Sequence, residues 1–337
     1  MRHIVAVDAG SCYVKVIEGS ERGGRLFIKK IGYFPNPFSD FRSSLVEREQ
    51  DVFVKSLKKF LHDGGIREKR AVSGISGDGA VIHYFDIPKL PESEVKSAVQ
   101  LELMQVTPGG AKNMEYDYLL LPGKEGGRTV LFAGYQKDKC DFFTAALHRA
   151  GLRPLILDHD ALAVFNSFSF LNKKQGGVVF ILNIGHKTSN FILSEKGGFA
   201  LIRDIPFGGR NLTGVVAAGK HISQEEAEIY SNKEENREDV QKILAEGIEE
   251  LLMEMQASIE YFRAKTGKSP ERLFLTGGAS VFPGLLETVG QNVKIDAALW
   301  NPLENLSEVK TYSLPEEIKK KGIMFAVCLG LVLRKIK

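Results

Sequence analysis

The chain has 337 residues, 43% of them hydrophobic and 26% charged, which fits about two folded domains and excludes a disordered or fibrous protein. A formal net charge of +3 is too small to indicate a nucleic-acid groove. Three scattered cysteines, no signal-peptide pattern and an apolar stretch (323–333) shorter than the roughly 20 residues that cross a bilayer together predict a cytosolic protein.

An internal repeat divides the chain into two halves. Segment 7–11 (VDAGS) recurs as 182–186 (LNIGH), and segment 20–24 (SERGG) recurs as 194–198 (SEKGG). In both copies an apolar strand enters a glycine-bearing turn, a second strand leaves it, and a Gly-Gly turn opens a third strand. Two extended matches in register predict that a three-strand meander begins each half.

Each meander continues into helices and strands. The spacing of apolar residues predicts a helix over 52–61, a strand over 71–75, a strand over 273–276 and a short helix over 283–289. The second half also contains an insertion with two predicted helices. Ser223 and Glu226 form a capping box at the start of the first, and the second is predicted over 238–265.

Residues 80–155 belong to neither copy of the repeat. Their pattern predicts strand, helix, strand, strand, helix and a last strand over 154–157. This β-α-β-β-α-β order indicates a small split-βαβ sandwich inserted into the first half. An insertion with a core of its own is a natural docking module.

The turn after the first strand has the chemistry to bind phosphate. Gly10 lets the backbone amides of Ser11 and Cys12 point at one spot, and converging amides form an anion-binding nest. Lys15 on the outgoing strand can reach the same anion, and Asp8 can hold a hydrated magnesium ion through water. A hairpin with a convenient glycine is the simpler interpretation of this turn alone.

The second copy of the repeat offers a matching turn, formed by Gly185, His186, Lys187 and Thr188. Two such turns facing each other across a cleft would hold a polyphosphate from both sides, so the duplicated pair favours phosphate binding. A third turn, Gly277-Gly278-Ala279-Ser280, follows a buried strand, and its glycines would allow a base and ribose to lie on the backbone. By itself this third turn is an ordinary strand-to-helix connection.

Taken in order, the two phosphate turns, the Thr276-Gly277-Gly278 element and a terminal helix over 326–331 resemble the actin-like ATPase superfamily. The resemblance implies an α/β fold with duplicated actin-like (RNase H-like) domains around a nucleotide cleft. The inserted β-α-β-β-α-β subdomain in the first half is typical of the FtsA and PilM families. Segments 87–90 (IPKL), 203–209 (RDIPFGG) and 225–228 (EEAE) resemble the PilM family of type IV pilus platform proteins. The chain also stops at Lys337, without the long linker and membrane-binding helix of FtsA.

The resemblance also implies the domain organisation. The first actin-like lobe is expected over 1–79, 158–177 and 310–337, the inserted subdomain over 80–157, and the second lobe over 178–309 with a helical subdomain over 210–268.

By the same resemblance the cleft binds ATP with magnesium, and Asp8 serves the metal. The first phosphate loop would comprise Gly10, Ser11, Cys12 and Lys15, the second Gly185, His186, Lys187 and Thr188, and the adenosine site Glu228, Gly277, Gly278 and Ser280. The family also has an acidic residue at the first interdomain connection, where it can orient a water for attack. Asp160 stands at that position, and phosphoryl transfer needs little beyond positioning, a metal and such a group.

Two positions depart from the family pattern. Asn183 stands where the second loop usually begins with aspartate; an amide still accepts a hydrogen bond from metal-bound water, but it brings no negative charge. Ser231 replaces the lysine of the A-E-x-x-K helix and leaves Glu228 alone. We therefore expect the nucleotide to be a structural or switching ligand, with hydrolysis slow or absent.

The resemblance implies a cytoplasmic scaffold, peripheral to the inner membrane through its partners, that helps to assemble a type IV pilus machine. The expected partner is the N-terminal peptide of a PilN-like bitopic membrane protein, lying in a groove between the inserted module and the first half. Two alternatives stay open: a small-molecule kinase of the superfamily, which Asn183 disfavours, and an FtsA-like cell-division filament protein. His159, between two aspartates, is expected in a surface turn.

Overall fold

The computed structural model describes residues 3–38, 45–106, 110–123, 126–195, 200–304, 309–311 and 314–335. The first half contains β1 (Ile4–Ala9), β2 (Tyr13–Arg22), β3 (Arg25–Pro35), α1 (Glu47–Asp63), β4 (Arg70–Ile75), β5 (Ala80–Ile87), α2 (Glu92–Val106), β6 (Met114–Pro122), β7 (Arg128–Gln136), α3 (Lys137–Arg149), β8 (Arg153–His159) and α4 (Asp160–Leu171). The second half contains β9 (Val178–Ile184), β10 (Ser189–Glu195), β11 (Ala200–Ile205), α5 (Gly209–Lys220), α6 (Gln224–Ser231), α7 (Arg237–Gly247), α8 (Glu249–Thr266), β12 (Arg272–Thr276), α9 (Leu285–Val293), β13 (Asp296–Leu299), β14 (Val309–Thr311), α10 (Glu316–Lys320) and α11 (Ala326–Val332).

The two large sheets have the same strand order. The first is ordered β14-β3-β2-β1-β4-β8 and the second β11-β10-β9-β12-β13. Without the edge strand β14, each is an antiparallel meander followed by two parallel strands. The predicted repeat is thus a duplicated domain, and the predicted fold class of two actin-like domains is confirmed.

The inserted module has the predicted order of elements, but its sheet has only three strands, ordered β5-β7-β6. Helix α2 covers this sheet, with Val95, Val99 and Leu103 packed against Val130 and Phe132. The strand expected to complete the module, β8, instead pairs in parallel with β4 in the first sheet. The cause lies in the preceding helix: α3 packs into the core of the first lobe beside α1, and the chain therefore leaves α3 next to β4.

The helical part of the second lobe also differs from the prediction. It contains four helices rather than two, because α5 precedes the pair expected from the sequence. The long helix predicted over 238–265 is broken at Ile248 into α7 and α8. Glycine at position 247 has a packing reason, since a Cβ there would overlap the side chain of Val215 on α5. The predicted capping box of Ser223 and Glu226 is present.

The largest core lies between the two sheets. Because side chains alternate along a strand, one face of each sheet points into this core. Ile4 and Ala6 of β1 face Val179 and Ile181 of β9, with α4 and the buried helix α11 between them. The next residues on these faces are Asp8 and Asn183, where the apolar core gives way to polar side chains. None of the helices formed by the described residues is long and apolar enough to span a bilayer.

Candidate functional site

The apolar face of the first sheet ends in a row of three side chains. In register across β1, β2 and β3 this row is Asp8, Lys15 and Tyr33. Lys15 Nζ lies 2.7 Å from Asp8 Oδ2, and both side chains are largely buried. Tyr33 continues the row to the surface, where its hydroxyl accepts a hydrogen bond from Lys321 Nζ at 2.7 Å. The sequence suggested Lys15 as a phosphate ligand, and in this structure its charge is balanced by Asp8.

The Lys15 ammonium lies across the turn between β1 and β2, close to Gly10. A Cβ at Gly10 would stand 2.8 Å from Lys15 Nζ and 3.1 Å from the carbonyl oxygen of Tyr13. Asn36 closes the turn from β3, since its Nδ2 donates to Gly10 O at 2.8 Å and its backbone N–H donates to Cys12 O at 2.7 Å. Both hydrogen bonds are accepted by backbone carbonyl groups of the turn, and together they fix its conformation.

The second turn is tighter, and backbone surrounds it. The N–H of Gly185 donates to Thr188 O at 3.1 Å, and a Cβ on Gly185 would meet that oxygen at 2.7 Å. The start of α5 packs on the same turn, because the N–H of Gly209 donates to Gly185 O and that of Arg210 donates to His186 O, both at 2.9 Å.

The third turn adjoins the second. Gly277 has a φ of +90°, and a Cβ there would stand 2.5 Å from both Asn183 Oδ1 and Ile184 O. Gly278 next to it faces open space: apart from its chain neighbours, no atom of the described residues lies within 4 Å of a Cβ placed there. Ser280 is buried, and its hydroxyl donates to Gly277 O at 2.7 Å. The Ser280 side chain therefore stabilises the turn from inside rather than lining the open space.

The two lobes approach each other at these turns. A Cβ at Gly77, in the loop after β4, would be 3.6 Å from Thr188 Oγ1 of the second turn. The pKa of the Cys12 thiol is raised, because burial and the Glu228 carboxylate outweigh the opposite effect of Lys15 and Lys187. Because β4 runs parallel to β1 beside it, the loop of Gly77 and the turn of Gly10 lie at the same end of the first sheet, so the first and second turns lie around one space. Glu228 itself is exposed.

A second polar row mirrors the first. Asn183, Asn190 and Asp204 are in register across β9, β10 and β11. Asn183 Nδ2 donates to Asn190 Oδ1 at 2.6 Å, and Asn190 Nδ2 donates to Asp204 Oδ1 at 2.7 Å. The row then crosses to the first lobe, where His159 Nε2 lies 3.2 Å from Asp204 Oδ2.

His159 is buried at the junction of the two lobes, so its predicted place in a surface turn is wrong. It is the N-cap of α4: in the neutral ring Nδ1 accepts the Ala161 N–H at 3.3 Å, and the ring proton is then on Nε2, on the side of Asp204. Burial opposes protonation of the imidazole, but Asp204, with Asp160 and Asp158, outweighs it and raises the pKa of His159. The side chain therefore holds the start of the interlobe helix against the second sheet.

Asp160, the predicted water-orienting residue, is the first residue of α4 and is buried. Its Oδ2 accepts a hydrogen bond from Ser76 Oγ at 2.6 Å, and its Oδ1 lies against Gly74, where a Cβ would overlap it. Ser76 immediately precedes Gly77, the residue beside the second turn. This carboxylate thus lies below the space between the lobes.

A metal at this site would be held mainly through water. Within the part of the chain that the structure describes, no group of three or more His, Cys, Asp or Glu side chains could hold a metal ion. Asp8 is the one acidic side chain of the first row, and magnesium keeps several waters when it binds beside phosphates. This donor set fits a hydrated magnesium ion carried by a polyphosphate.

Sequence analysis missed Asn190, Asp204 and the role of His159. Asn190 could have been found, because it follows Asn183 at the same spacing as Lys15 follows Asp8. Asp204 lies in the segment RDIPFGG, which had served only as a family resemblance. His159 could not be placed without knowing that β11 lies beside it.

Comparison with known proteins identifies the family. The family model described as "Type IV pilus assembly protein PilM" matches residues 6–336. The chain is similar to a solved structure described as a PilM-PilN type IV pilus biogenesis complex, with 23% identity, a TM-score of 0.81 and coverage of 98% of this chain and 97% of that chain. It is also similar to the ethanolamine utilization protein EutJ from Carboxydothermus hydrogenoformans, with 13% identity, a TM-score of 0.57 and coverage of 99% and 90%. The duplicated fold, the inserted module and the match over nearly the whole chain show that this protein belongs to the PilM family of type IV pilus assembly proteins.

Proposed function

We propose that this protein is an ATP- and magnesium-binding scaffold of the type IV pilus inner-membrane platform, which it joins by binding the N-terminal peptide of a PilN-like bitopic membrane protein. The observation that carries the proposal is the convergence of three glycine turns and two polar rows on one space between the lobes. The family and the similarity to a PilM-PilN complex supply the biological setting.

Each part of the nucleotide has a counterpart in the cleft. The phosphates would lie between the turn of Gly10 and the turn of Gly185, with Lys15 and Lys187 as the neighbouring cations. Asp8 would accept hydrogen bonds from the waters of the metal, which neutralises phosphate charge when bound. Gly278, which faces open space, would lie under the nucleoside.

We infer slow or absent hydrolysis from two features. Asn183 brings no charge to the second turn, so the field that would polarise an attacking water is weak. Asp160, the carboxylate placed to orient that water, already accepts a hydrogen bond from Ser76 and is buried. A bound nucleotide would then act by holding the two lobes together rather than by being consumed.

The partner peptide would lie where the inserted module meets the first lobe. A cavity of about 540 Å³ opens beside the inserted module where α3 begins, lined by Asn113, Gln136, Lys137, Asp138 and Asp141. It lies between the ends of the module's strands and the start of α3, the helix that packs into the first lobe. An extended segment gains affinity from backbone pairing and from pockets for alternate side chains.

Binding of a fluorescently labelled N-terminal PilN-like peptide, followed by polarisation, tests the proposal. We expect saturable binding by the wild type and at least about tenfold weaker binding by Asn113→Trp, whose indole would fill the cavity. Asp117→Trp, on the exposed face of β6, is the matched control. Absence of binding by the wild type, or equal affinity of the two variants, would contradict the placement of the peptide.

A further inference from the structure

We propose that Asp204, acting through Asn190, orients the amide of Asn183 so that Asn183 Oδ1 takes the place of the missing aspartate as the acceptor toward the water shell of the nucleotide-bound metal. Asn190 and Asp204 are then positioning residues for the cleft. The inference rests on the nucleotide-binding part of the proposed function and adds residues that hold its second turn.

The direction of the hydrogen bonds follows from the chemistry of the end group. An ionised carboxylate can only accept, so the group that Asn190 presents to Asp204 must be its NH₂. Asn190 therefore presents its oxygen to Asn183, and Asn183 must answer with its own NH₂. The contacts at 2.7 Å and 2.6 Å have this polarity. As a result, Oδ1 of Asn183, a pure acceptor, is held outside the row together with the second N–H of the amide.

His159 stands at the end of the row, beside Asp204. Its Nε2 lies 3.2 Å from Asp204 Oδ2, within ion-pair distance, while Asn190 donates to Asp204 Oδ1. Because His159 also caps α4, the polarity of the row is anchored in the first lobe although the row itself belongs to the second.

The surroundings of Asn183 place its free oxygen at the cleft end of the row. Asn183 Oδ1 lies against Gly277, whose missing side chain makes room for it, and Gly278 beside it faces open space. Asn183 and Asn190 are buried, with 8% and 3% of their surface exposed. Hydrogen bonds between such groups are stronger than in water, and they polarise one another. The Asp204 carboxylate at one end of the row therefore strengthens Asn183 Oδ1, at the other end, as an acceptor.

Reversal of the row's polarity gives a direct test that needs no nucleotide. In Asn183→Asp, two carboxylates flank the Asn190 amide, which can donate to only one of them, so the urea unfolding midpoint should fall. Adding Asp204→Asn restores a complete row of opposite polarity: the new amide at position 204 would donate to Asn190, and His159 would donate to the oxygen of that amide. The second substitution should therefore raise the midpoint of Asn183→Asp while leaving the wild type unchanged or less stable. If the effects of the two substitutions are additive, or if Asn183→Asp leaves the midpoint unchanged, the proposed direction of the hydrogen bonds along the row is wrong.

The metal role is tested by titrating ATP with magnesium and with a chelator. We expect magnesium to increase the ATP affinity of the wild type. In Asp204→Asn this increase should be smaller by a factor of at least about ten, which corresponds to about 1.4 kcal/mol. The ATP affinity measured in the chelator should be the same for both proteins. Glu195→Gln, at the exposed end of β10, is the control. Equal gains in Asp204→Asn and the wild type would overturn this inference alone. A wild type that binds no ATP under either condition would refute the nucleotide part of the proposed function, and this metal role with it.

Discussion

The rows Asp8–Lys15–Tyr33 and Asn183–Asn190–Asp204 occupy equivalent register positions in two sheets of the same strand order. In the first row a carboxylate and an ammonium are in direct contact beside the cleft. In the second, two amides stand in those places, and the carboxylate lies on the third strand, paired with His159 across the lobe junction. The duplicated fold thus preserves the position of the polar row but not its chemistry.

The two lobes bury charge in different places relative to the cleft. The first lobe places its charges at the cleft, where Lys15 and Asp8 compensate each other; in the proposed complex a ligand and a metal would replace these contacts. In the second lobe the charged group, Asp204, lies on the third strand, away from the cleft. It is connected to Asn183 by the hydrogen bonds of 2.7 Å and 2.6 Å through Asn190. The first row can therefore exchange partners, whereas the second is a fixed support.

The glycines beside the two rows give the largest expected contrast. Gly277→Ala should lower the free energy of unfolding by about 3 kcal/mol, because it adds positive-φ strain to overlap with Asn183 Oδ1 and backbone. Gly10→Ala should cost less than about 1 kcal/mol, since its nearest obstacle is the mobile end of Lys15. Urea unfolding measures both, and Gly278→Ala, facing open space, is the control. Equal losses for Gly277→Ala and Gly10→Ala would contradict the contrast.

The end of the second row should give a smaller, pH-dependent effect. The pKa of His159 is raised above 6.5 by Asp204, Asp160 and Asp158, so its contribution to stability is complete below that pH and is lost as pH rises through the folded-state pKa. His159→Gln should remove this dependence. The wild-type advantage over the variant, measured by urea unfolding, should then shrink as the pH rises above 6.5. An advantage that stays constant or grows with pH would show that the pair with Asp204 does not stabilise the fold.

Much of the architecture could be predicted, because the repeat and the order of elements are visible in short, local sequence patterns. The two meanders, the order of elements in the inserted module and the buried terminal helix all appear as turn glycines and apolar periodicity. The pairing of β8 could not be predicted: a strand pattern tells that a strand exists, and its partner depends on where α3 packs. Helix α5 was missed because Gly209, Gly214 and Gly219 weaken its helical signal.

The candidate site divides in the same way. The turns of Gly10, Gly185 and Gly277 could be predicted because their chemistry lies within a few consecutive residues. The His159–Asp204 pair could not, since its partners come from two lobes and meet only after the sheets pack together. The aspartates flanking His159 suggested exposure to solvent, yet Asp158 and Asp160 are both buried, with Arg334 and Ser76 as their respective neighbours.

The central claim, that the two lobes close around one magnesium–nucleotide site, is tested most directly by calorimetric titration of the whole chain with ATP and magnesium. The wild type should bind one ATP per chain, and Asp8→Ala and Lys15→Met should each weaken binding by at least about tenfold. Lys29→Met, which removes a similar pair with the buried Glu18 away from the cleft, should bind as the wild type does. A wild type without detectable binding, or equal affinities in all four proteins, would contradict the account.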